Sequence, residues 1–258
     1  MIYPEQISEL KSMKKYPKEL YVLGNTELLK KTKVSIVGSR KTSKYTREWT
    51  HKLASSLSKV GVCVVSGGAM GVDAVAHLGA GKSNTIAVLP CGVDVKYPAV
   101  NKNLLHDIEN NGLLLSQFQE GFRATPWSFV VRNELVVALG DVLVVAEAEL
   151  ESGSMRSIEF ALKMGKKIYV FPHRLGESSA TNELLKNNQA EVIYDINEFV
   201  ALFGAVEVNT EPQDDFLKFC STNPSYDIVV AKFPQRVFEA ELSGEIEIKN
   251  AKVFVTFS

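Results

Sequence analysis

Cysteine is scarce in this 258-residue chain. The three present, Cys63, Cys91 and Cys220, are scattered and odd in number, which argues against a disulfide framework and against a zinc site. Cys63 and Cys91 fall in apolar strand-like runs, where small buried thiols are common. No apolar run approaches the ~18 residues that a membrane-spanning helix needs, so no membrane contact is expected. The opening MIYPEQISELKSMKKY has no long apolar stretch of the secretory-signal kind, and a cytoplasmic location is expected. The histidines at 51, 77, 106 and 173 lack metal-ligand spacing. Neither a metal nor a cofactor is expected. Net charge is also nearly absent, with 29 Lys+Arg against 30 Asp+Glu. A 45% hydrophobic content excludes a disordered chain.

The neutral total conceals a gradient. Residues 1–60 carry 13 basic and 5 acidic side chains, whereas residues 61–213 carry 11 and 18. Between Lys30 and Arg47 lie seven basic residues and no acid: Lys30, Lys31, Lys33, Arg40, Lys41, Lys44 and Arg47. A local basic surface of this kind can hold a polyanion on a neutral protein.

Short apolar, β-branched runs recur at 34–37, 62–65, 85–89, 113–116, 142–147, 168–171 and 191–194. Helical stretches separate them, at about 44–60, 72–81, 101–111, 127–140, 155–165, 180–188 and 196–203. Strands that are apolar throughout and alternate with helices predict an α/β fold, a doubly wound parallel sheet covered on both faces. Ligands bind such sheets beyond the carboxyl ends of the strands.

The residues just after the strands are small and polar. They read Gly38-Ser39-Arg40, Ser66-Gly67-Gly68-Ala69-Met70-Gly71-Val72-Asp73, Pro90-Cys91-Gly92 and Ser152-Gly153-Ser154. Small side chains let a ligand approach the backbone, and N–H groups at the next helix start face an anion. One such turn is common for steric reasons alone. Several on one edge, beside Arg40, point to a phosphate-binding groove.

Nucleotide-enzyme motifs are missing. Gly79-Ala80-Gly81-Lys82-Ser83 imitates a phosphate loop, but Ala76 stands where its first glycine belongs, and the segment ends a helix instead of starting one. The first strand–helix turn, GSRKTS, lacks the dinucleotide fingerprint. No Ser/His/Asp or Cys/His set emerges, and His77 reads as a packed or capping residue. The segment FRATPWSFVVR brings Phe122, Trp127 and Phe129 between Arg123 and Arg132, a composition suited to stacking unpaired bases. Taken singly, each aromatic is better explained as core, at the opening of a helix at Pro126. Arg132 and Asn133, beside a helix start, suit a polar role at the groove.

The α/β pattern ends at the polar segment 205–213, read as a linker. Helices follow at about 215–220, 226–232 and 234–242, then a hairpin across Lys249-Asn250. Three helices and a hairpin predict a winged helix over 214–258. Its third helix sets Arg236 against Glu239 and Glu241, and the module nets -2, which disfavours duplex DNA. Val237, Phe238 and Leu242 are its candidate core. The expected organisation is an N-terminal extension (1–33), a Rossmann-like domain (34–204), the linker and this module.

In order along the chain, VSIVGSR, VVSGGAMGVDAVAH, TIAVLPCGVDVKYP, GLLLSQF, SFVVRNELVVALGDVLVVAEAELESGSM and ALKMGKKIYVFP resemble the DNA processing protein A (DprA/Smf) family. The resemblance covers roughly residues 16–203. It implies an extended Rossmann fold, a homodimer and single-stranded DNA binding. It further implies protection of incoming DNA in natural transformation, help in loading the RecA recombinase, and no catalysis. By motif, the implied DNA contacts are Gly38, Ser39, Arg40 and Lys41, then Ser66, Gly67, Gly68 and Gly71. Phe129, Arg132 and Asn133 follow, and last Ser152, Gly153 and Ser154. Two positions depart from the family pattern: Glu134 replaces the final Arg of Arg-Asn-Arg, and His173 replaces the Gly after Pro172. An enzymatic alternative is a nucleoside-monophosphate phosphoribohydrolase of the lysine-decarboxylase-like group, whose motif would end on Glu159. That motif needs Gly and Thr where Met155 and Arg156 stand.

Overall fold

A computed structural model describes residues 1–204, 215–242 and 245–255. The chain divides into two compact units, Met1–Val206 and Glu207–Ser258. In chain order the first unit contains β1 (Tyr21–Gly24), β2 (Lys33–Val37), α1 (Lys44–Lys59), β3 (Cys63–Ser66) and α2 (Val72–Ala80). Next come β4 (Thr85–Val88), α3 (Lys102–Asn111), β5 (Leu113–Ser116), α4 (Pro126–Leu139) and β6 (Val142–Val145). The unit ends with α5 (Ser154–Lys163), β7 (Ile168–Val170), α6 (Ser179–Lys186), β8 (Glu191–Val192) and α7 (Ile196–Ala201).

The sheet order is β1-β5-β4-β3-β2-β6-β7-β8. Strands β2 to β8 pair in parallel. Every residue of β2, β3, β4 and β5 is buried, so branched apolar side chains fill both faces. Helices α4, α5 and α6 cover one face through Leu135, Ile158 and Leu184. Helices α1, α2 and α7 cover the other through Leu53, Ala76 and Phe199. From β2 the chain winds outward to β5, then returns to lay β6 on the free side of β2. The reversal opens a crevice at the carboxyl ends of β2 and β6.

Residues 1–33, expected as an extension, are part of this unit. Tyr21–Gly24 pairs antiparallel with β5 and closes one edge of the sheet. Lys33, counted in the basic run, is buried: its ammonium donates to the carbonyls of Leu29 (2.9 Å) and Lys31 (2.7 Å) and pairs with Glu9. Cys63, Cys91 and Cys220 are buried, and none of them is joined in a disulfide. Burial pushes the Cys63 thiol up to about 12. His77 packs as expected of a structural residue, with Nδ1 2.7 Å from Thr85 Oγ1 and burial pushing it down to about 3.

The second unit holds α8 (Asp215–Cys220), α9 (Tyr226–Lys232), α10 (Pro234–Leu242), β9 (Ile246–Lys249) and β10 (Lys252–Val255). Phe216, Cys220, Val229, Val237, Ile246 and Val253 form its core. Phe238, expected in that core, is 63% exposed. The hairpin turns on Asn250-Ala251, one residue later than expected, with both φ positive at 50° and 60°. That is the signature of a tight turn matched to strand twist. Arg236 lies 5.2 Å from the Phe216 ring and pairs with Glu245. The expected linker lies outside the described residues, as do residues 214, 243–244 and 256–258 of the expected winged helix.

Removing Glu9 leaves the buried Lys33 ammonium without its counter-charge. Glu9→Gln is expected to lower the unfolding free energy by about 1–3 kcal/mol. Adding Lys33→Met should recover more than half of that loss, because an apolar stem then replaces an unpaired charge. Urea unfolding of the two single variants and the double variant measures the coupling, and strict additivity would refute it.

Candidate nucleic-acid interface

The crevice at the carboxyl ends of β2 and β6 is a cleft of about 860 Å³. The turn after β2, the turn after β3, the start of α4 and the start of α5 all reach it. Of the residues singled out in the sequence, it gathers Gly38, Ser39, Arg40, Lys41 and Gly67 from the first two turns. It adds Phe129, Arg132 and Asn133 from α4, and Ser152, Gly153 and Ser154 before and at the start of α5.

Local bonding shapes each wall. After β2, Ser39 N–H donates to Glu147 O (2.8 Å) and Ser39 Oγ donates to Lys41 O (2.8 Å), which tightens the turn and leaves Arg40 and Lys41 exposed. Helix α4 starts at Pro126 with a reciprocal cap: Thr125 N–H donates to Ser128 Oγ (2.9 Å) and Ser128 N–H to Thr125 Oγ1 (3.3 Å). Its apolar–polar spacing then turns Pro126, Phe129, Val130, Asn133 and Val136 toward the cleft. At the start of α5, the Ser152 hydroxyl is buried with no partner among the described residues.

The floor is ionic. Arg132 is only 4% exposed, its Nη1 lying 3.7 Å from an Asp73 carboxylate oxygen and donating to Val88 O (3.3 Å). Its Nε has no partner among the described residues. Burial pushes the Asp73 carboxyl up, and the Arg132 guanidinium works against that rise. Asp73 also accepts the Ala69 N–H (3.2 Å). Gly67 is required here, because a Cβ would stand 1.4 Å from Arg132 Nη1. Above this floor the exposed Arg40 guanidinium lies 5.2 Å from the Phe129 ring centre, with Arg132 at 5.9 Å. The cleft thus joins the Phe129 and Tyr97 rings, the exposed cations Arg40, Lys41 and Arg156, and backbone-rich turns.

Three of the singled-out residues build the walls without lining the cleft. Ser66 is fully buried and its hydroxyl donates to Ile36 O (2.7 Å). Gly68, at φ +72°, is buried and its carbonyl accepts from Asn101 (2.9 Å). Gly71, at φ +76°, passes so close under the Arg40 turn that a Cβ would lie 2.3 Å from Ser39 O. Tyr97, Thr125 and Arg156 line the cleft but were not singled out. Only the Tyr97 segment and Thr125 carried a sequence signal, a family motif and a cap before Pro126. Glu134, the charge departure, is not among the lining residues and accepts the Lys14 N–H (3.1 Å). His173 Nε2 lies 2.8 Å from Ala146 O. Glu159, the residue that the hydrolase alternative requires, pairs with Arg156 at 2.9 Å and is also not among the lining residues. Among the described residues, no group of three or more His, Cys, Asp or Glu could hold a metal ion.

Asp73 and Arg40 should therefore separate stability from surface chemistry. Asp73→Ala strands a buried guanidinium and is expected to cost about 3–5 kcal/mol. Arg40→Ala, in an exposed turn, should stay within about 0.5 kcal/mol of the parent. Urea midpoints measure both, and an Asp73→Ala midpoint equal to that of Arg40→Ala would show that the floor is not ionic.

The geometry has counterparts. A family described as DNA recombination-mediator protein A matches residues 1–204. The DNA processing protein DprA of Streptococcus pneumoniae is 37% identical over 172 residues, 66% of this chain and 60% of that protein. Protein Smf of Synechocystis is 32% identical over 219 residues, 82% of this chain and 54% of that one. The chain spans little more than half the length of these curated relatives. A structure of DNA processing protein A from Helicobacter pylori, solved for insight into its single-stranded DNA binding mode, is 40% identical with a TM-score of 0.77, covering 78% of this chain and 94% of that one. The Streptococcus pneumoniae structure aligns at 32% identity with a TM-score of 0.71, over 77% of this chain and 71% of that one. With the family match running from β1 through α7, and with the cleft built from the motifs that carry the likeness, the chain belongs to the DNA recombination-mediator protein A family.

Proposed function

We propose that the chain binds single-stranded DNA in the carboxyl-edge cleft, without catalysis, as a DNA-processing protein of natural transformation. In this reading it protects incoming DNA and helps load the RecA recombinase, acting in the cytoplasm as a homodimer. The observation that carries the reading is the Arg40–Phe129 pair at 5.2 Å above a buried ionic floor. A ring offered in a cleft takes a base only when that base is free of its duplex neighbours. Cations on the rim take phosphate, which positions the strand without reading sequence. The Gly/Ser turns leave room for the backbone of such a strand to approach, and the small Gly153 and Ser154 stand where the chain enters α5 beside it. The Helicobacter pylori relative, studied for its single-stranded DNA binding, supports the same class of ligand. Nothing in the cleft favours the hydrolase alternative, since Glu159 is not among its lining residues.

Arg40→Ala is expected to weaken oligothymidylate binding by about 1–3 kcal/mol, or roughly 5- to 150-fold, with an unchanged melting temperature. Fluorescence anisotropy at fixed salt measures it. An affinity within twofold of the parent would put the strand elsewhere.

The second unit enters the reading as a protein-contact module. Residues 214–258 net -2, and Arg236 already pairs with Glu245. A chain ending near Phe203 is expected to keep most of its single-stranded DNA affinity, and residues 214–258 alone should bind none at physiological salt. Gel-shift titration decides, and a folded truncation that loses more than about tenfold would assign DNA contact to the module.

A further inference from the structure

We propose that Trp127 is a second base-stacking platform, placed on the rim so that a strand leaving the cleft continues over it. The inference rests on the reading of the cleft as a single-stranded DNA site. It concerns a residue outside the cleft lining, one that neither the ionic floor nor the Gly/Ser turns require.

Tryptophan is rarely left in water, because its large apolar surface favours burial. Trp127 is nevertheless 63% exposed. It occupies the second position of α4, next to the cleft-lining Pro126 and three residues before the cleft-lining Val130, on the side of the helix turned away from Phe129. Ala124 and Thr125, just before it in the chain, also line the cleft, so Trp127 stands at the point where the chain leaves that lining.

Mobility does not account for this exposure, because the ring is held from below. It meets the buried Phe118 edge to face at 5.7 Å and 71°, and Phe118 stacks flat on Phe122 at 4.6 Å and 11°. The loop carrying both phenylalanines is tied down three times. Phe118 N–H donates to Ser116 Oγ (3.0 Å), Gly92 N–H donates to Phe122 O (2.9 Å), and Gly121 N–H donates to the Asp94 carboxylate (3.0 Å). The Thr125–Ser128 cap fixes the start of the helix itself. An aromatic face fixed in advance loses little entropy on stacking. Arg123, exposed four residues earlier, offers a cation for the phosphate between the two bases. Trp127 would then take a base further along the strand than the one on Phe129, as the strand leaves the cleft past Val130 toward the β5 side of the sheet.

The full chain is tested with fluorescein-labelled oligothymidylates of about 4 and about 16 nucleotides, near the two ends of the range for single-strand sites. The short strand is held by the cleft alone. Trp127→Ala should therefore bind it as the parent does, lose roughly tenfold on the long strand, and keep its melting temperature. Trp127→Phe should restore most of the long-strand affinity. In a Trp49→Phe background Trp127 is the one remaining tryptophan, and its emission should be quenched by the long strand and much less by the short one. Trp127→Ala within twofold of the parent on both strands, or tight binding of the long strand without quenching, overturns the proposal while the cleft reading stands. If Arg40→Ala leaves both affinities intact, the cleft reading fails as well. A change in Trp127 emission that follows protein concentration and ignores DNA assigns the ring to contact between copies of the chain and also overturns the proposal.

Discussion

The Asp73–Arg132 pair is the interaction on which the cleft depends. It ties α4 to the start of α2 across the carboxyl ends of β3 and β4, and it does so out of water, where an unmatched charge is costly. Its presence dictates the neighbours. Gly67 must lack a side chain because the guanidinium fills that space, and Asp73 must reach back to the Ala69 N–H because a buried carboxylate needs more than one partner. With Arg132 fixed, Phe129 one turn earlier on α4 is fixed too, and Arg40 finds a ring to lie against. The exposed chemistry of the site is thus held by a buried ion pair that touches solvent hardly at all.

Charge placement follows the sheet and not the composition. The seven basic residues between Lys30 and Arg47 look like one patch in sequence, yet β2 runs through the middle of them. A five-residue strand spans about 16 Å, so Lys30 and Lys31 lie at its amino end while Arg40, Lys41, Lys44 and Arg47 lie beyond its carboxyl end. At the amino end the charges are already engaged: Lys30 with Glu27, Lys31 with Asn84, Lys33 with Glu9. At the carboxyl end Arg40 and Lys41 line the cleft. A chain with almost no net charge can therefore present a cationic rim at one place without a basic surface elsewhere.

The parallel strands were legible because burial on both faces leaves an unbroken apolar run, which only a covered sheet explains. The cleft was legible because three strand ends that meet there, after β2, β3 and β6, carried small residues, whereas the fourth such turn, Pro90-Cys91-Gly92, is not among its lining residues. Strand β1 was not, since Tyr21–Gly24 is a four-residue edge strand with only Val22 buried and so lacks that signature. Ser66, Gly68 and Gly71 shared the signature of ligand contacts for a different reason: they sit where backbones cross closely, and the same small size serves both ends. Arg156 gave no signal, because an arginine in the first turn of a helix is ordinary until the fold brings that turn to the cleft. In the second unit, Asn250-Ala251 misplaced the expected turn by one residue because asparagine suits either position of a tight hairpin.

The central claim is that the cleft takes an unpaired strand by phosphate contact and base stacking together. Its most direct test compares the salt dependence of binding for a single-stranded oligothymidylate and a duplex of equal length. Stacking adds affinity that salt does not screen. The account therefore predicts a shallow linear fall of log K with log salt for the single strand, reflecting few phosphates, with affinity persisting where the duplex no longer binds. Equal affinities and equal slopes for the two would contradict it, showing that the chain meets DNA through charge alone.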